Sequence, residues 1–375
     1  MVRVAVNVEQ LLHDAPGGIG RYTAELLRLL PARGVDVTPF VARHPRAEID
    51  RALGAYDLSD LDPVALVLPP AMLADAWHVL GVAGPVRRVA PVDLVHAPSP
   101  AVPPTGRVPL VVTVHDAAPI VMPDAFTRRG VWFHRRGFAA AAKRARLVIA
   151  VSEFCADEIA TYTTIPRERI RVVPNGVNLV QSTPDAVART RRQLGLGDAP
   201  YVLWVGTAQP RKNVRTLLDA FTRLDPVRIP HRLVLAGASG WKADGEDAEM
   251  VQRLGDRVRL LGKVPDPELF ALYAGADLFA FPSRHEGFGI PVLEAMAQAT
   301  AVLCADIPAL REVAGDAARF VGPDDLHGWV DALAELLGDP AARAELSVLG
   351  GERAGRFSWE RCADGTAQVY AEALS

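Results

Sequence analysis

Short apolar runs, each followed by an amphipathic helical pattern, recur from one end of the chain to the other. In the first half they fall at residues 2–8, 35–41, 93–96, 110–115, 147–152 and 170–174. In the second half they fall at 201–206, 233–237, 258–262, 277–282, 301–305 and 318–321. The runs are mostly continuous Val, Leu and Ile with little alternation, as strands buried on both faces require. Alternation of strand and helix predicts an α/β chain with doubly wound parallel sheets. Two series of about six strands predict two of them. Pro174, Asn175 and Gly176 mark a turn between the series, and a polar stretch at 181–198 follows. The expected domains are therefore residues 1–178 and 179–357, with a final helix over 358–375 that Ser358 can N-cap.

Composition changes this picture little. With 375 residues, two cores are expected rather than one. Hydrophobic content of 50% and charged content of 23% are those of a globular protein. A net charge of −3 leaves no nucleic-acid footprint. Residues 1–178 carry 20 basic and 17 acidic side chains, and residues 179–375 carry 21 and 27. Cys155, Cys304 and Cys362 are scattered and odd in number, which suits a reducing, cytoplasmic setting. No leader-like or membrane-spanning run is visible. Only four of the 41 basic residues are lysines, a compositional bias without functional content.

The segment SRHEGFGIPVLEAM at 283–296 is the most informative. It leaves an apolar strand and enters a helix. Gly287 and Gly289 permit close backbone approach, and Pro291 suits a first helical turn. Unpaired N–H groups at such a helix end attract an anion such as a diphosphate. Glu286 and Glu294 beside that anion make sense as acceptors for sugar hydroxyls. An acidic first turn on a capped helix is the plainer reading. In GTAQPRKN, between another strand and its helix, Arg211 and Lys212 oppose the helix dipole unless an anion lies between them. An exposed basic turn is the alternative. Both elements lie at the carboxyl ends of strands, where open α/β sheets bind ligands. The turn from Gly237 to Trp241 could line the same crevice or be a plain Gly-rich turn.

In the first half, PGGIGRY at 16–22 reads as a loop between the first strand and the helix TAELLRLL. It resembles a phosphate-cradling loop but lacks the full Gly pattern, and a tight turn explains it equally. His115 and Asp116 end a strand at the edge where a substrate would bind, although a cap on the next segment also accounts for Asp116. Ser152 reads as a helix N-cap. Asp60-Leu61-Asp62 is a D-x-D that could hold a divalent cation, but its polar surroundings read as a surface turn. Motifs of serine hydrolases, zinc proteases and P-loop proteins are absent.

Together these motifs resemble family 4 of the retaining glycosyltransferases, whose fold is GT-B, two Rossmann-like domains facing across a cleft. The resemblance runs from GGIGRY to FSWE at 357–360 and is strongest over 201–320. Its most specific marker is E-x7-E, here Glu286 and Glu294, with GTAQPRKN, VPNGVN and TVHD in the expected order. Bacterial mannosyltransferases of polysaccharide assembly, which often use GDP-mannose, look most similar. The resemblance implies that Arg211 and Lys212 neutralise the departing diphosphate in place of a metal. It gives Glu294 the ribose hydroxyls, Glu286 the donor sugar, and the backbone of Phe288, Gly289 and Ile290 the phosphates. His115 would lie near the reacting carbon and the acceptor, Gly17 and Gly18 near the diphosphate, and the closing helix would return to the first domain. Neither a metal nor another cofactor is expected, the nucleotide sugar being a co-substrate.

The implied reaction is front-face transfer with retention, to a saccharide, lipid-linked or small-molecule acceptor. Domain closure would exclude water so that transfer outpaces hydrolysis. The chain departs from its relatives at Gln298-Ala299-Thr300-Ala301, where a small residue and Gly-Thr-Pro are usual, and at His285. The rivals are a GT-B sugar-nucleotide epimerase and a silent sugar-nucleotide-binding protein. E-x7-E opposes the first, and the presence of Glu286, Lys212 and His115 opposes the second.

One stretch remains. Residues 125–152 hold seven basic side chains and no acidic one, with Trp132, Phe133 and Phe138 among them. Either this face rests on anionic lipid at the inner membrane surface, or it is a solvated basic face whose aromatics enter the core.

Overall fold

The computed structural model describes residues 1–14, 16–237 and 246–375. The chain divides into two units, one formed by Met1–Gly176 with Trp359–Ser375, the other by Val177–Ser358.

The first unit contains β1 (Val2–Asn7), β2 (Val35–Val41), β3 (Val64–Ala65), β4 (Leu94–Ala97), β5 (Leu110–Val114), β6 (Leu147–Ala150) and β7 (Ile170–Val172). Among the described residues they form a parallel sheet in the order β3-β2-β1-β4-β5-β6-β7. Every residue of β4, β5 and β6 is buried, which accounts for their unbroken apolar runs. The edge strand β3 has no counterpart in the sequence reading. Two residues ahead of a Pro pair are too short for a periodic signal.

The second unit contains β8 (Tyr201–Val205), β9 (Arg232–Ala236), β10 (Val258–Gly262), β11 (Leu278–Phe281), β12 (Val302–Ala305) and β13 (Arg319–Val321). These are also parallel, in the order β10-β9-β8-β11-β12-β13. Both sheets are Rossmann-like. In each, strands are added first on one side of the opening strand and then on the other, so the order reverses between β1 and β4 and between β8 and β11. The loops leaving the carboxyl ends diverge there and open a crevice.

The last helix, Trp359–Leu374, belongs to the first unit and packs on the helix Gly17–Leu29. It buries Trp359, Cys362, Ala363, Thr366, Val369, Tyr370 and Ala373, one stripe at helical spacing. Each large apolar side chain so buried contributes roughly 1.5–3 kcal/mol.

Candidate donor and reaction site

In the second unit, the loops leaving β8 and β11 flank the reversal point. The β8 loop forms a short turn, Pro210–Lys212, ahead of the helix Val214–Arg223. Asn213 between them takes a left-handed φ of +53°, which Asn tolerates better than most residues. Its amide donates to the carbonyls of Pro282 (3.1 Å) and Pro323 (2.7 Å). The Arg284 N–H donates to the Arg211 carbonyl at 2.8 Å. These bonds hold the two loops together and aim Arg211 and Lys212 at the β11 loop.

Their target is Glu286. Lys212 Nζ stands 2.5 Å from its Oε1, and Arg211 Nη1 stands 3.3 Å from Oε2 and 3.2 Å from the His285 carbonyl. Lys212 and Glu286 are both buried. Burial alone would raise the Glu286 pKa, but the charges of Lys212 and Arg211, with the hydrogen bond from Lys212, outweigh it and hold the carboxyl at about 2. At neutral pH Glu286 is therefore ionised and has no proton to give. Two cations thus converge on one buried carboxylate.

The helix Ile290–Ala297 begins just beyond, with Pro291 in its first turn. Gly289 is required twice over: its φ is +107°, and a Cβ there would lie 2.5 Å from a Leu310 methyl. The first N–H groups of the helix have no intrahelical carbonyl to pair with, so Phe288, Gly289 and Ile290 present an anion-receptive backbone edge beside Arg211 and Lys212. Phe288 is buried edge-on against Phe357 at 5.8 Å. Glu294, one turn inside, is buried and accepts a hydrogen bond from the Tyr273 hydroxyl at 3.0 Å. Gly206 and Gly237 pack backbone on backbone at the ends of β8 and β9, where a Cβ on Gly237 would lie 1.8 Å from the Gly206 oxygen. The rest of that turn, 238–241, lies outside the described residues.

The structure brings Arg211, Lys212, Glu286, Phe288, Gly289 and Ile290 to one crevice edge. Sequence reasoning missed that the cations and Glu286 are ion-paired, since 74 positions separate Lys212 from Glu286. It also missed Asn213, which sits inside a motif it had singled out, and Tyr273. His285 supplies its carbonyl to Arg211. Ala299 adopts a left-handed φ of +57° at the position where relatives were expected to carry Gly. Gln298 closes the turn with bonds to Val180 and Ser182.

In the first unit, the structure corrects the reading of PGGIGRY as a loop ahead of the helix. The helix begins at Gly17, so Gly18, Gly20 and Arg21 lie in its first turns. Gly17 and Gly18 are exposed, and Gly17 takes φ +59° with open space where a Cβ would sit. His115 follows β5. Its Nε2–H donates to the Pro98 carbonyl at 3.1 Å, leaving Nδ1 as the acceptor nitrogen. Burial lowers its pKa to about 4. A cavity of about 90 Å³ beside it is lined by Val114, Asp116, Phe126, His134 and Phe138. Asp116 caps the next segment through the Ala118 N–H, and Ser152 caps its helix through the Cys155 N–H. The Asp62 carboxylate pairs with Arg46, and Asp60 is exposed in a turn.

Behind His115 lies a buried polar chain that the sequence reading did not find. Tyr370 O–H meets His96 Nδ1 at 2.7 Å, His96 Nε2 meets Thr113 Oγ1 at 2.8 Å, and Thr113 meets the Tyr22 hydroxyl at 2.9 Å. On the closing helix, the Thr366 hydroxyl donates to the Cys362 carbonyl at 2.8 Å. The chain links the closing helix, through Tyr370, to β4, β5 and the helix that carries Tyr22. The Tyr22 ring is thereby fixed, and it stands edge-on to the His115 ring at 4.9 Å. The available signal was a polar residue inside each of two apolar strands, Thr113 in β5 and His96 in β4.

Two parallel Rossmann-like units, one with a cationic, amide-lined edge at its reversal point, define the architecture of a GT-B transferase. The chain belongs to the glycosyl transferases group 1. The family model described as Glycosyl transferases group 1 matches residues 187–350, and the one described as Glycosyltransferase Family 4 matches residues 16–181. O-antigen chain mannosyltransferase B of Escherichia coli is 30% identical over 372 residues, 94% of this chain and 95% of that protein. D-inositol 3-phosphate glycosyltransferase of Nocardia farcinica is 37% identical over 218 residues, 56% of this chain and 48% of that protein. The crystal structure of Anabaena HepE in complex with UDP and glucose superposes with a TM-score of 0.77 at 19% identity, covering 99% of this chain and all of that one.

Proposed function

We propose that this glycosyltransferase moves a hexose, with GDP-mannose the favoured donor, to an acceptor hydroxyl with retention of anomeric configuration and without a metal. The convergence of Arg211 and Lys212 on a buried carboxylate beside a helix N-terminus carries the reading. An incoming diphosphate competes with Glu286 for these cations, and Glu286, released in part, accepts hydrogen bonds from the donor sugar. Glu294 takes the ribose hydroxyls. Negative charge grows on the diphosphate as the glycosidic bond breaks, so cations and amides already in place stabilise the transition state more than the ground state. The acceptor's proton passes to the departing phosphate, and His115, neutral with Nδ1 free to accept, orients the acceptor hydroxyl. The mannosyltransferase relative matched over nearly the whole chain supports the choice of donor. Saccharide, lipid-linked and small-molecule acceptors all suit this chemistry.

A panel of GDP-, UDP-, ADP- and dTDP-sugars in thermal shift identifies the donor, because a ligand of the folded state raises the midpoint. Product NMR with and without acceptor, in EDTA, then tests the reaction. Retained configuration and undiminished rate are expected. Inversion, an acceptor-independent epimer, or a rate restored only by Mg²⁺ or Mn²⁺ would refute it.

A further inference from the structure

Tyr273 lies one residue from the end of the helix Asp266–Ala274 and is buried, ring and hydroxyl together. A buried phenol needs a hydrogen-bond partner, and this one donates to Oε2 of Glu294 at 3.0 Å, across 21 positions of sequence. Its backbone is pinned as firmly. The Thr300 hydroxyl donates to the Tyr273 carbonyl and the Tyr201 hydroxyl to the Leu272 carbonyl, both at 2.6 Å. The Thr300 N–H donates to the Ala295 carbonyl at 3.0 Å, so the turn that ends the Glu294 helix also holds the Tyr273 helix.

The ring continues into a row of others. Tyr273 stands edge-on to Phe279 at 5.3 Å, Phe279 stacks on Phe281 at 5.6 Å, and Lys212 Nζ lies 5.0 Å over the Phe281 ring. Phe279 and Phe281 are buried on one face of β11, two residues apart. One aromatic row therefore runs from the phenol that meets Glu294 to the ammonium that meets Glu286. The two carboxylates are held differently: Glu286 by two cations, Glu294 by a neutral hydroxyl. One such donor fixes the direction of a carboxylate while taking one of its roughly four acceptor sites.

We propose that Tyr273 is a positioning residue that aims Glu294 at the donor's ribose, and so favours ribonucleoside diphosphate sugars over their deoxyribose counterparts. Its action presupposes that Glu294 takes the ribose hydroxyls, and in that it rests on the proposed function. Without the phenolic bond, the ligand itself must immobilise the Glu294 side chain, which sets the cost of ordering one side chain against the bonds gained. That cost falls on ligands that carry the hydroxyls and on no other part of the donor. A dTDP-sugar lacks the 2′-hydroxyl and gains less from the aimed carboxylate.

The test is calorimetric titration of GDP and of 2′,3′-dideoxy-GDP into the full chain and into Tyr273→Phe. UDP and its dideoxy analogue take their place if GDP gives no heat. The parent should favour the ribonucleotide roughly tenfold or more, as for hydrogen bonds to a charged acceptor. In Tyr273→Phe that preference should shrink roughly two- to tenfold, the equivalent of immobilising one side chain, while affinity for the dideoxy nucleotide stays within about twofold. Thr300→Val, which frees the Tyr273 carbonyl and keeps the phenol, should shrink the preference as well. It decides the matter if Tyr273→Phe does not melt cooperatively in circular dichroism. A preference undiminished in each variant that melts cooperatively, or equal losses for both nucleotides, would overturn the proposal. No preference in the parent would instead remove Glu294 from the ribose and take the role of Tyr273 with it.

Discussion

Glu294 is a buried carboxylate held by the Tyr273 hydroxyl, and the proposed reaction gives it the ribose hydroxyls. Glu294→Ala should raise the donor KM by roughly 10–150-fold with a smaller effect on saturated kcat, the equivalent of about 1.5–3 kcal/mol for bonds to a charged acceptor. Steady-state kinetics checks this, and an unchanged donor KM would remove Glu294 from the donor site. Ala299 carries a local strain that Gly would relieve, since its φ is +57°. Ala299→Gly should stabilise the protein by about 0.5–1 kcal/mol in urea unfolding, the smaller loss of chain entropy in Ala being outweighed. The spacing of Glu286 and Glu294 was legible because both lie on one continuous loop and helix. The ion pair was not, because no local pattern reports which distant cation a carboxylate meets.

At the scale of elements, the polar chain from Tyr370 to Tyr22 connects the closing helix to the strands beneath His115. Tyr370→Phe removes its first hydroxyl and leaves His96 Nδ1 buried without a partner. A cost of about 1–3 kcal/mol follows, with the ring packing retained. Urea unfolding measures it, and a neutral substitution would show that the chain contributes nothing to stability. Strands were readable from sequence wherever both faces are buried, since β4, β5 and β6 are buried at every position and their apolar runs are scarcely interrupted. The start of the helix at Gly17 was not, because glycines near a helix end look the same whether they precede it or belong to it. The edge strand β3 owes its existence to pairing with β2, a tertiary effect.

Across the whole molecule, three histidines of the first unit have lowered pKa values, about 4 for His78, 3 for His96 and 4 for His115, each first through burial. An unfolded imidazole binds its proton near pH ~6.5. Between that value and the folded ones the unfolded chain holds more protons, so stability rises with pH there. Their contribution is complete above about pH 7 and is lost as pH falls from about 6.5 toward 4. Urea midpoints should therefore drop progressively over that interval, and a flat profile would show that these rings are not held neutral.

The central claim is that the second unit receives a diphosphate between Arg211, Lys212 and the helix at Ile290. Calorimetric titration of GDP and GMP into the parent and Lys212→Ala tests it most directly. The expected result is at least roughly tenfold tighter binding of GDP than of GMP, and loss of most of that preference in Lys212→Ala, as for one charged hydrogen bond of about 1.5–3 kcal/mol. An undiminished preference in the variant, or no binding of GDP, UDP, ADP or dTDP by the parent, would contradict it.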